Sequence, residues 1–214
     1  MLLEDGRQNH IRSILDNPAL PKVDSRQTLL FSATFPENVE QLARDIMSKR
    51  YAKVSNGARN RANARVVQLF EKVNGGLYEK NEKLFEILER QRDNLDEDNS
   101  VKRTLVFVGS KQQADYLACI LVNKDIKAGS INSGLDIHGL DHVINYDLPY
   151  GSPNEVHFSV KIVNKYIHRV GRTGRLHGGF ATTFIDSSVD SDIVKLLTKV
   201  SEPLFNASTL KCMR

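Results

Sequence analysis

The segment with the clearest chemical character is the octapeptide HRVGRTGR, residues 168–175. If its first part is helical, His168, Arg172 and Arg175 recur at spacings i, i+4 and i+7 and lie on one face. A guanidinium group stays charged at any working pH, and its planar donor fork matches phosphate oxygens. The segment therefore suits contact with a polyphosphate, although an arginine-rich octapeptide taken alone is more often a solvated helix face.

A second group of polar residues stands where a predicted strand meets a predicted helix. Residues 104–108 (TLVFV) predict a core strand, and Ser110 follows it with Gln113 three residues later. Ser and Gln at that spacing are typical of a capping box. A helix that starts directly after a core strand also offers an anion site at its amino end.

Apolar periodicity and turn residues divide the chain into alternating strands and helices. Helices are predicted over residues 8–15, after Pro36, over 78–92, from Ser110 and over 190–200. Strands are predicted over residues 27–32, 51–54, 66–73, 104–108, 128–131, 142–146 and 180–185. This alternation predicts an α/β fold in which helices flank a parallel sheet.

Composition limits the class of protein further. Lys and Arg number 30 against 26 Asp and Glu, a net charge of +4 that permits a nucleic-acid partner without proving one. Cys119 and Cys212 share no metal-ligand spacing, and we expect Cys119 to be a packed, reduced thiol. No apolar run approaches the roughly 20 residues of a membrane span, and the first ten residues have no signal layout. These features predict a cytosolic or nuclear protein with no membrane partner.

Four segments together resemble a known family. SATFP (32–36), TLVFVGSK (104–111), GLDIHGLDHVINYDLP (134–149) and HRVGRTGR (168–175) resemble the third to sixth motifs of DEAD-box RNA helicases, most closely the Vasa-type germline members. The resemblance covers most of the chain. It implies two RecA-like lobes of the P-loop NTPase class, with ATP in the cleft between them and single-stranded RNA across both.

The resemblance divides the chain into domains. Residues 1–57 correspond to the carboxyl-terminal fragment of the first, ATP-binding lobe, and 66–202 to an incomplete helicase C-terminal lobe. The polar, basic stretch around residues 58–65 is predicted to be a linker, and 203–214 a frayed tail.

The resemblance also assigns ATP-site roles to named residues. Arg172 and Arg175 correspond to arginine fingers that reach ATP on the opposite lobe, and His168 links this surface to the catalytic carboxylates of the first lobe. Asp136 corresponds to the contact with the ATP ribose, although an Asp after Gly-Leu is more often a turn or cap residue.

Further roles concern RNA and the coupling of hydrolysis to strand opening. Ser32 and Thr34 correspond to the coupling motif, although both could simply be strand-end hydroxyls. Gly109 and Ser110 correspond to the group that grips the RNA backbone, and for Ser110 the capping role competes. Phe107 is most simply a packing residue, yet its position in the family adjoins the arginine motif.

The partners implied are ATP, single-stranded or short duplex RNA and ribonucleoprotein proteins. Mg²⁺ would be held by motifs of the first lobe. The implied location is the cytoplasm, with germ granules or the nucleus as alternatives.

The sequence departs from the family at three places. It contains no G-x-x-x-x-G-K-[ST] loop and no Asp-Glu-Ala-Asp run, and MLLEDG resembles the segment just after that run. Only Asn132 and Ser133 stand between Ile131 and Gly134, where the family carries a helix and a further strand. Residues 150–165 are longer than the family's link, and we expect a loop there rather than an edge strand.

We therefore expect an ATP-dependent RNA helicase of the DEAD-box type that hydrolyses almost no ATP by itself, since arginine fingers lower only a barrier that magnesium, lysine and a carboxylate define. Three alternatives stay open. The chain could be a non-catalytic RNA- or protein-binding module, an unstable truncated product, or, less favoured, another ATPase that uses arginine fingers.

Overall fold

The computed structural model describes residues 8–32, 37–54, 65–74, 76–93, 102–131, 137, 139–150, 158–174, 177–186, 193–194 and 197. The chain forms two compact units, Met1–Asn60 and Arg61–Arg214.

The first unit is helical in its described part. It contains α1 (Gln8–Leu15), a short 3-10 helix (Val23–Ser25) and α2 (Glu37–Ile46). Val39, Leu42 and Ala43 are buried, as the apolar spacing of α2 predicts.

The strands predicted over residues 27–32 and 51–54 are wrong, since both segments lack β-structure. Phe31 is 87% exposed and Val54 is 92% exposed. A strand needs a hydrogen-bonded neighbour, and the described residues of this unit form none. Apolar content alone therefore gave the wrong prediction for these segments.

The second unit is built on a parallel sheet, which confirms the predicted α/β fold. Its strands are β1 (Val66–Val73), β2 (Thr104–Phe107), β3 (His142–Asn145) and β4 (Gly179–Asp186), in the order β1-β4-β3-β2. All three neighbouring pairs are parallel. The sheet is thus continuous across these four strands.

Helices cover both faces of this sheet. The helices are α3 (Gly76–Asp93), α4 (Lys111–Asn123) and α5 (Phe158–Val170). On one face, α5 packs on alternate strand residues in a cluster that includes Val66, Phe70, Val143 and Ala181. On the other face, Leu84 of α3 and Leu117 of α4 pack in a second cluster with Val73, Ile144 and Phe184. Successive strand residues point to opposite faces, so each strand feeds both clusters.

The loop expected over residues 150–165 is wrong for its second half, because α5 begins at Phe158. Ile162, Tyr166 and Val170 are buried at helical spacing. The alternation of apolar residues before Ile162 masked this longer period. Residues 151–157 lie outside the described part of the chain.

The strand predicted over residues 128–131 is also wrong. These residues form no strand, and Ile131 is 44% exposed. Gly129 and Ser130 favour strands weakly, and one apolar residue cannot bury the segment. Between α4 and β3, the described residues contain no helix or strand, and β2 pairs directly with β3 from Thr104↔His142 to Phe107↔Asn145.

Ile193 and Leu197 are buried against the α5 face, while the rest of the helix predicted over 190–200 lies outside the described residues. Cys119 is exposed on α4, so the expected packed thiol is wrong. Within the described residues, no helix has the length and apolar character needed to cross a membrane.

Candidate functional site

The start of α4 is capped as the sequence predicts. Ser110 is extended, and its Oγ accepts a hydrogen bond of 3.2 Å from the Gln113 amide. The Gln113 side chain reaches back to the Gly109 amide rather than to that of Ser110, at 3.2 Å. Gly109, Ser110 and Lys111 are all exposed. The first turn of α4 therefore presents backbone amides to solvent at the carboxyl end of β2.

Next to this turn lies Asp147, two residues beyond β3. Its Oδ2 accepts a hydrogen bond of 2.9 Å from the Gly109 amide, and its Oδ1 lies 2.7 Å from Lys80 Nζ of α3. The Lys80 and Asp147 side chains are only 12% and 10% exposed. The Asp147 amide donates to the Phe107 carbonyl at 3.2 Å. One carboxylate thus ties α3 to the loop that leads into α4.

Arg169 joins the same group from the last turn of α5. Its Nη1 donates to the Asp147 carbonyl at 2.7 Å, and its guanidinium carbon lies 5.0 Å from the centre of the Phe107 ring. Burial lowers the pKa of Arg169 from its usual value, and the negative charge of Asp147 opposes that shift. We call Lys80, Phe107, Gly109, Asp147 and Arg169 the Asp147 cluster.

Phe107 was expected to be a packing residue whose position in the family adjoins the arginine motif, and its ring contacts Arg169 of that motif. Sequence analysis did not single out Lys80, Asp147 or Arg169. For Asp147, the position of an ionisable side chain just after a buried strand was an available signal, whereas Arg169 lies inside the helix α5. Lys80, 67 residues from its partner, offered no local signal.

The arginine motif leaves α5 through a tight turn. The Gly171 amide donates to the Ile167 carbonyl at 2.8 Å, and Gly174 has φ +72°, a conformation that favours glycine. Thr173 is buried, and its Oγ1 contacts the carbonyls of Leu140 at 2.7 Å and Asp141 at 3.1 Å. Since Leu140 and Asp141 precede β3, the turn lies at the amino ends of the strands.

The packing of this turn also depends on Gly179, the first residue of β4. A Cβ atom on Gly179 would lie 2.0 Å from Thr173 Oγ1 and 2.8 Å from the Gly174 amide nitrogen. Close approach of two backbone segments is a site where only glycine fits. Because Gly179 has no side chain, the start of β4 can lie directly against the turn that contains Thr173 and Gly174.

The structure separates the predicted site residues. His168 lies half-buried in the last turn of α5, with its Nε2 shielded from solvent. Because α5 ends at Val170, half-buried Arg172 lies in the following turn and not on the helix face expected for it. Gly109 and Ser110 lie at the carboxyl end of β2, away from the turn of Arg172.

The other predicted site residues fall elsewhere. Ser32 is exposed in the first unit. Thr34, Asp136 and Arg175 lie outside the described residues. In the described part of the chain, no group of three or more His, Cys, Asp or Glu side chains is placed to hold a metal ion.

Sequence comparisons agree with the motifs. A family model described as the helicase conserved C-terminal domain matches residues 126–177. The chain is 33% identical to the mouse ATP-dependent RNA helicase DDX4, over 93% of this chain and 30% of that protein. It is 33% identical to the Caenorhabditis elegans ATP-dependent RNA helicase glh-1, over 92% of this chain and 29% of that protein.

Solved DEAD-box proteins are also similar to the chain. A DEAD box protein from Methanococcus jannaschii has a TM-score of 0.45 at 25% identity, covering 95% of this chain and 55% of that one. The Escherichia coli DEAD-box protein SrmB, solved bound to regulator of ribonuclease activity A, has a TM-score of 0.47 at 20% identity, covering 65% and 85%.

On the ordered motifs and the sequence matches, the chain belongs to the DEAD-box family of RNA helicases. It spans about 30% of the length of the curated relatives that it matches.

Proposed function

We propose that this chain takes part in ATP-dependent RNA helicase activity by contacting the RNA backbone and by presenting arginine side chains to the phosphates of ATP. The observation that carries the proposal is 33% identity over 93% of the chain to a protein named as an ATP-dependent RNA helicase. We further propose a cytoplasmic location, with germ granules or the nucleus as alternatives, and ribonucleoprotein partners.

The RNA contact is proposed at the start of α4. Backbone amides at a helix amino end bind phosphate oxygens without reading the base sequence. Ser110 and Lys111 are exposed there. The Gly109 amide already donates to Asp147, so its proposed contribution is to shape the loop. This arrangement suits a single strand held by its backbone.

The ATP contact is proposed at the turn after α5. Arg172 and Arg175 would stabilise negative charge on the transferring phosphoryl group, as arginine fingers do. His168 would connect this surface to the first lobe, and Asp136 would accept from the ribose hydroxyls. Ser32 and Thr34 would couple hydrolysis to strand opening. Mg²⁺ would be held by first-lobe motifs that these 214 residues do not contain.

These 214 residues contain neither the phosphate loop nor the acidic run that hold ATP and water. The expected result of an ATPase assay of the purified chain with single-stranded RNA is therefore turnover no faster than the blank. Turnover that disappears in an Arg172→Ala variant would contradict this expectation.

The RNA contact is tested by separating its capping role from its phosphate role. Ser110→Asp keeps a strong N-cap but puts a carboxylate where phosphate would bind. We expect affinity for a labelled oligouridylate, measured by fluorescence anisotropy, to fall about tenfold or more, equivalent to about 1.4 kcal/mol. Ser25→Asp, in the 3-10 helix of the first unit, is the matched control for added negative charge. Equal affinity for wild type and Ser110→Asp would place RNA elsewhere.

A second candidate is a non-catalytic RNA-binding module, favoured by the absence of a phosphate loop from these residues. It predicts salt-sensitive RNA affinity that ATP does not change. Repeating the anisotropy titration with and without ATP separates the two candidates.

A further inference from the structure

Asp147 uses all four of its polar atoms, each toward a different segment. Its amide donates to Phe107 of β2, and its carbonyl accepts from Arg169 of α5. Oδ1 faces Lys80 of α3, and Oδ2 accepts from the Gly109 amide. Three of these segments carry or adjoin proposed site residues: the Gly109–Ser110 loop, the end of β2 and the last turn of α5.

The stability of the fold does not by itself explain the ion pair between Lys80 and Asp147. Removing two charges from water is costly, and a buried pair is often no more stabilising than apolar residues of similar volume. The pair does orient the Asp147 carboxylate. With Oδ1 held by Lys80 at 2.7 Å, Oδ2 is aimed at the Gly109 amide at 2.9 Å. An apolar pair could fill the space but could not orient that amide.

The tie to α5 follows from the direction of helical side chains. Side chains on a helix lean toward its amino end, so Arg169 points from the last turn of α5 back toward the carboxyl ends of the strands. There it meets the Asp147 carbonyl and the Phe107 ring. The same last turn carries His168 and leads directly to Arg172.

We propose that Asp147 and Lys80 are positioning residues that join the Gly109–Ser110 loop to the last turn of α5. The role of this link rests on the proposed function, in which the loop contacts RNA and the arginine motif contacts ATP. The link would make the two segments move as one unit. Its physical content, a link between two segments, is independent of RNA and of ATP.

The first test measures the link without any ligand. In the double variant Lys80→Met/Asp147→Ala, neither member of the ion pair is left charged without the other, and the Gly109 amide keeps only Gln113 Oε1 as its acceptor. We expect amide hydrogen exchange to speed up about fivefold or more in 108–113, where the Gly109 amide loses its bond to the Asp147 carboxylate. We expect the same in 166–174, because Arg169 loses the negative charge of Asp147 although the backbone carbonyl of residue 147 remains. Exchange in β1, residues 66–73, should not change.

The control lies on the same helix. Lys83 and Glu86 form an ion pair at 3.2 Å on α3, with side chains 29% and 48% exposed. Lys83→Met/Glu86→Ala should leave exchange in both segments as in the wild type. Faster exchange in 108–113 alone would overturn the proposal, since the loop would then be uncoupled from α5. Failure of the Lys80→Met/Asp147→Ala variant to fold would also overturn it, because the cluster would be a stability element only.

The second test adds RNA. We expect the Lys80→Met/Asp147→Ala variant to bind a labelled oligouridylate about fivefold more weakly than the wild type, with the folded fraction matched by circular dichroism. Unchanged affinity in a variant with faster exchange would overturn the link between positioning and RNA contact. Absence of RNA binding by the wild type would contradict the proposed function instead, and the exchange result would still decide whether the two segments are joined.

Discussion

His142 is the first residue of β3 and is 4% exposed. Gln91 Oε1 accepts a hydrogen bond from Thr104 Oγ1 at 2.9 Å, so the amide nitrogen of Gln91 is the atom that donates to His142 Nδ1. The proton of the ring therefore resides on Nε2, which lies 2.8 Å from Thr182 Oγ1. A neutral imidazole satisfies both contacts. A protonated imidazole would place an N–H donor at Nδ1 against the N–H donor of the Gln91 amide.

This arrangement predicts a loss of stability in mild acid. Burial, with a smaller effect of the Lys102 charge, lowers the pKa of His142 to about 4. In the unfolded chain the pKa is about 6.5, so the unfolded state takes up a proton first as the pH falls. The contribution of neutral His142 to the free energy of unfolding is fully present above about pH 6.5. It is lost toward about pH 4, by up to roughly 3 kcal/mol.

Urea unfolding at a series of pH values measures this effect. His142→Gln keeps a polar side chain that does not titrate, and the free energy of unfolding should then fall less between about pH 6.5 and 4.5. The same pH dependence in the wild type and the variant would assign the loss to other groups.

Gly179 and Gly178 form a matched pair for testing the arginine-motif turn. A Cβ at Gly179 meets Thr173 Oγ1 at 2.0 Å, whereas one at Gly178 meets only the Arg65 carbonyl, at 3.7 Å. Gly179→Ala should lower the free energy of unfolding by about 1–3 kcal/mol, since Thr173 must leave its buried contacts. Gly178→Ala should change it by less than about 0.5 kcal/mol. Equal melting temperatures for the two variants would contradict this account of the turn.

At the scale of elements, the sequence predicted helices and strands best where the apolar period of a segment agrees with the way its neighbours pack on it. The bounds of α1 and β1 match the predicted residues 8–15 and 66–73. The segments 27–32 and 128–131 contain apolar residues but carry no strand. A strand is stabilised by pairing and by cover on its faces, and neither is a property of the segment itself. Local sequence could therefore identify most helices but not which apolar segments join the sheet.

The buried hydroxyl of Tyr166 helps to hold helix α5 on the sheet, in addition to apolar packing. The Tyr166 hydroxyl donates to Gln68 Oε1 of β1 at 2.8 Å, and Tyr166 is 1% exposed. Burial raises the pKa of Tyr166 well above its usual value, so the hydroxyl keeps its proton.

Tyr166→Phe should lower the free energy of unfolding by about 1–3 kcal/mol, because the buried Gln68 oxygen loses its donor. Tyr116→Phe, at a side chain 49% exposed on α4, should change it by less than about 0.5 kcal/mol. Chemical denaturation of both variants checks the difference. A Tyr166→Phe variant as stable as the wild type would mean that the hydrogen bond of Tyr166 does not help to hold α5.

At the scale of the second unit, the candidate site depends on contacts between distant parts of the chain. Asp147 meets Lys80 across 67 positions and Gly109 across 38. The sequence indicated Gly109, Ser110 and the arginine motif because each stands in a short segment with its own pattern. The position of Asp147 after a buried strand could be read from the sequence, but its contacts with Lys80, Gly109 and Arg169 could not, since strand order decides which segments become neighbours.

The direct pairing of β2 with β3 bears on whether this unit folds cooperatively. Val143 and Ile144 of β3 are fully buried, on opposite faces of the sheet and in different apolar clusters. A continuous sheet with both faces covered is the arrangement that gives a parallel sheet its stability. We therefore expect a single sigmoidal unfolding transition for this unit, where an unstable product would give a broad and non-cooperative one.

Ile144→Ala tests that expectation. Ile144 is 0% exposed and packs with Tyr146 and Phe184, so truncation should cost about 2–5 kcal/mol and leave the transition sigmoidal at a lower urea midpoint. Ile131→Ala removes the same atoms at a site 44% exposed and should cost less than about 0.5 kcal/mol. The transition is followed by far-ultraviolet circular dichroism. If the two variants had the same midpoint, or if the wild type melted gradually, the β2–β3 pairing would not hold a packed core. The chain would then behave as an unstable product, the alternative that its short link between α4 and β3 also permits.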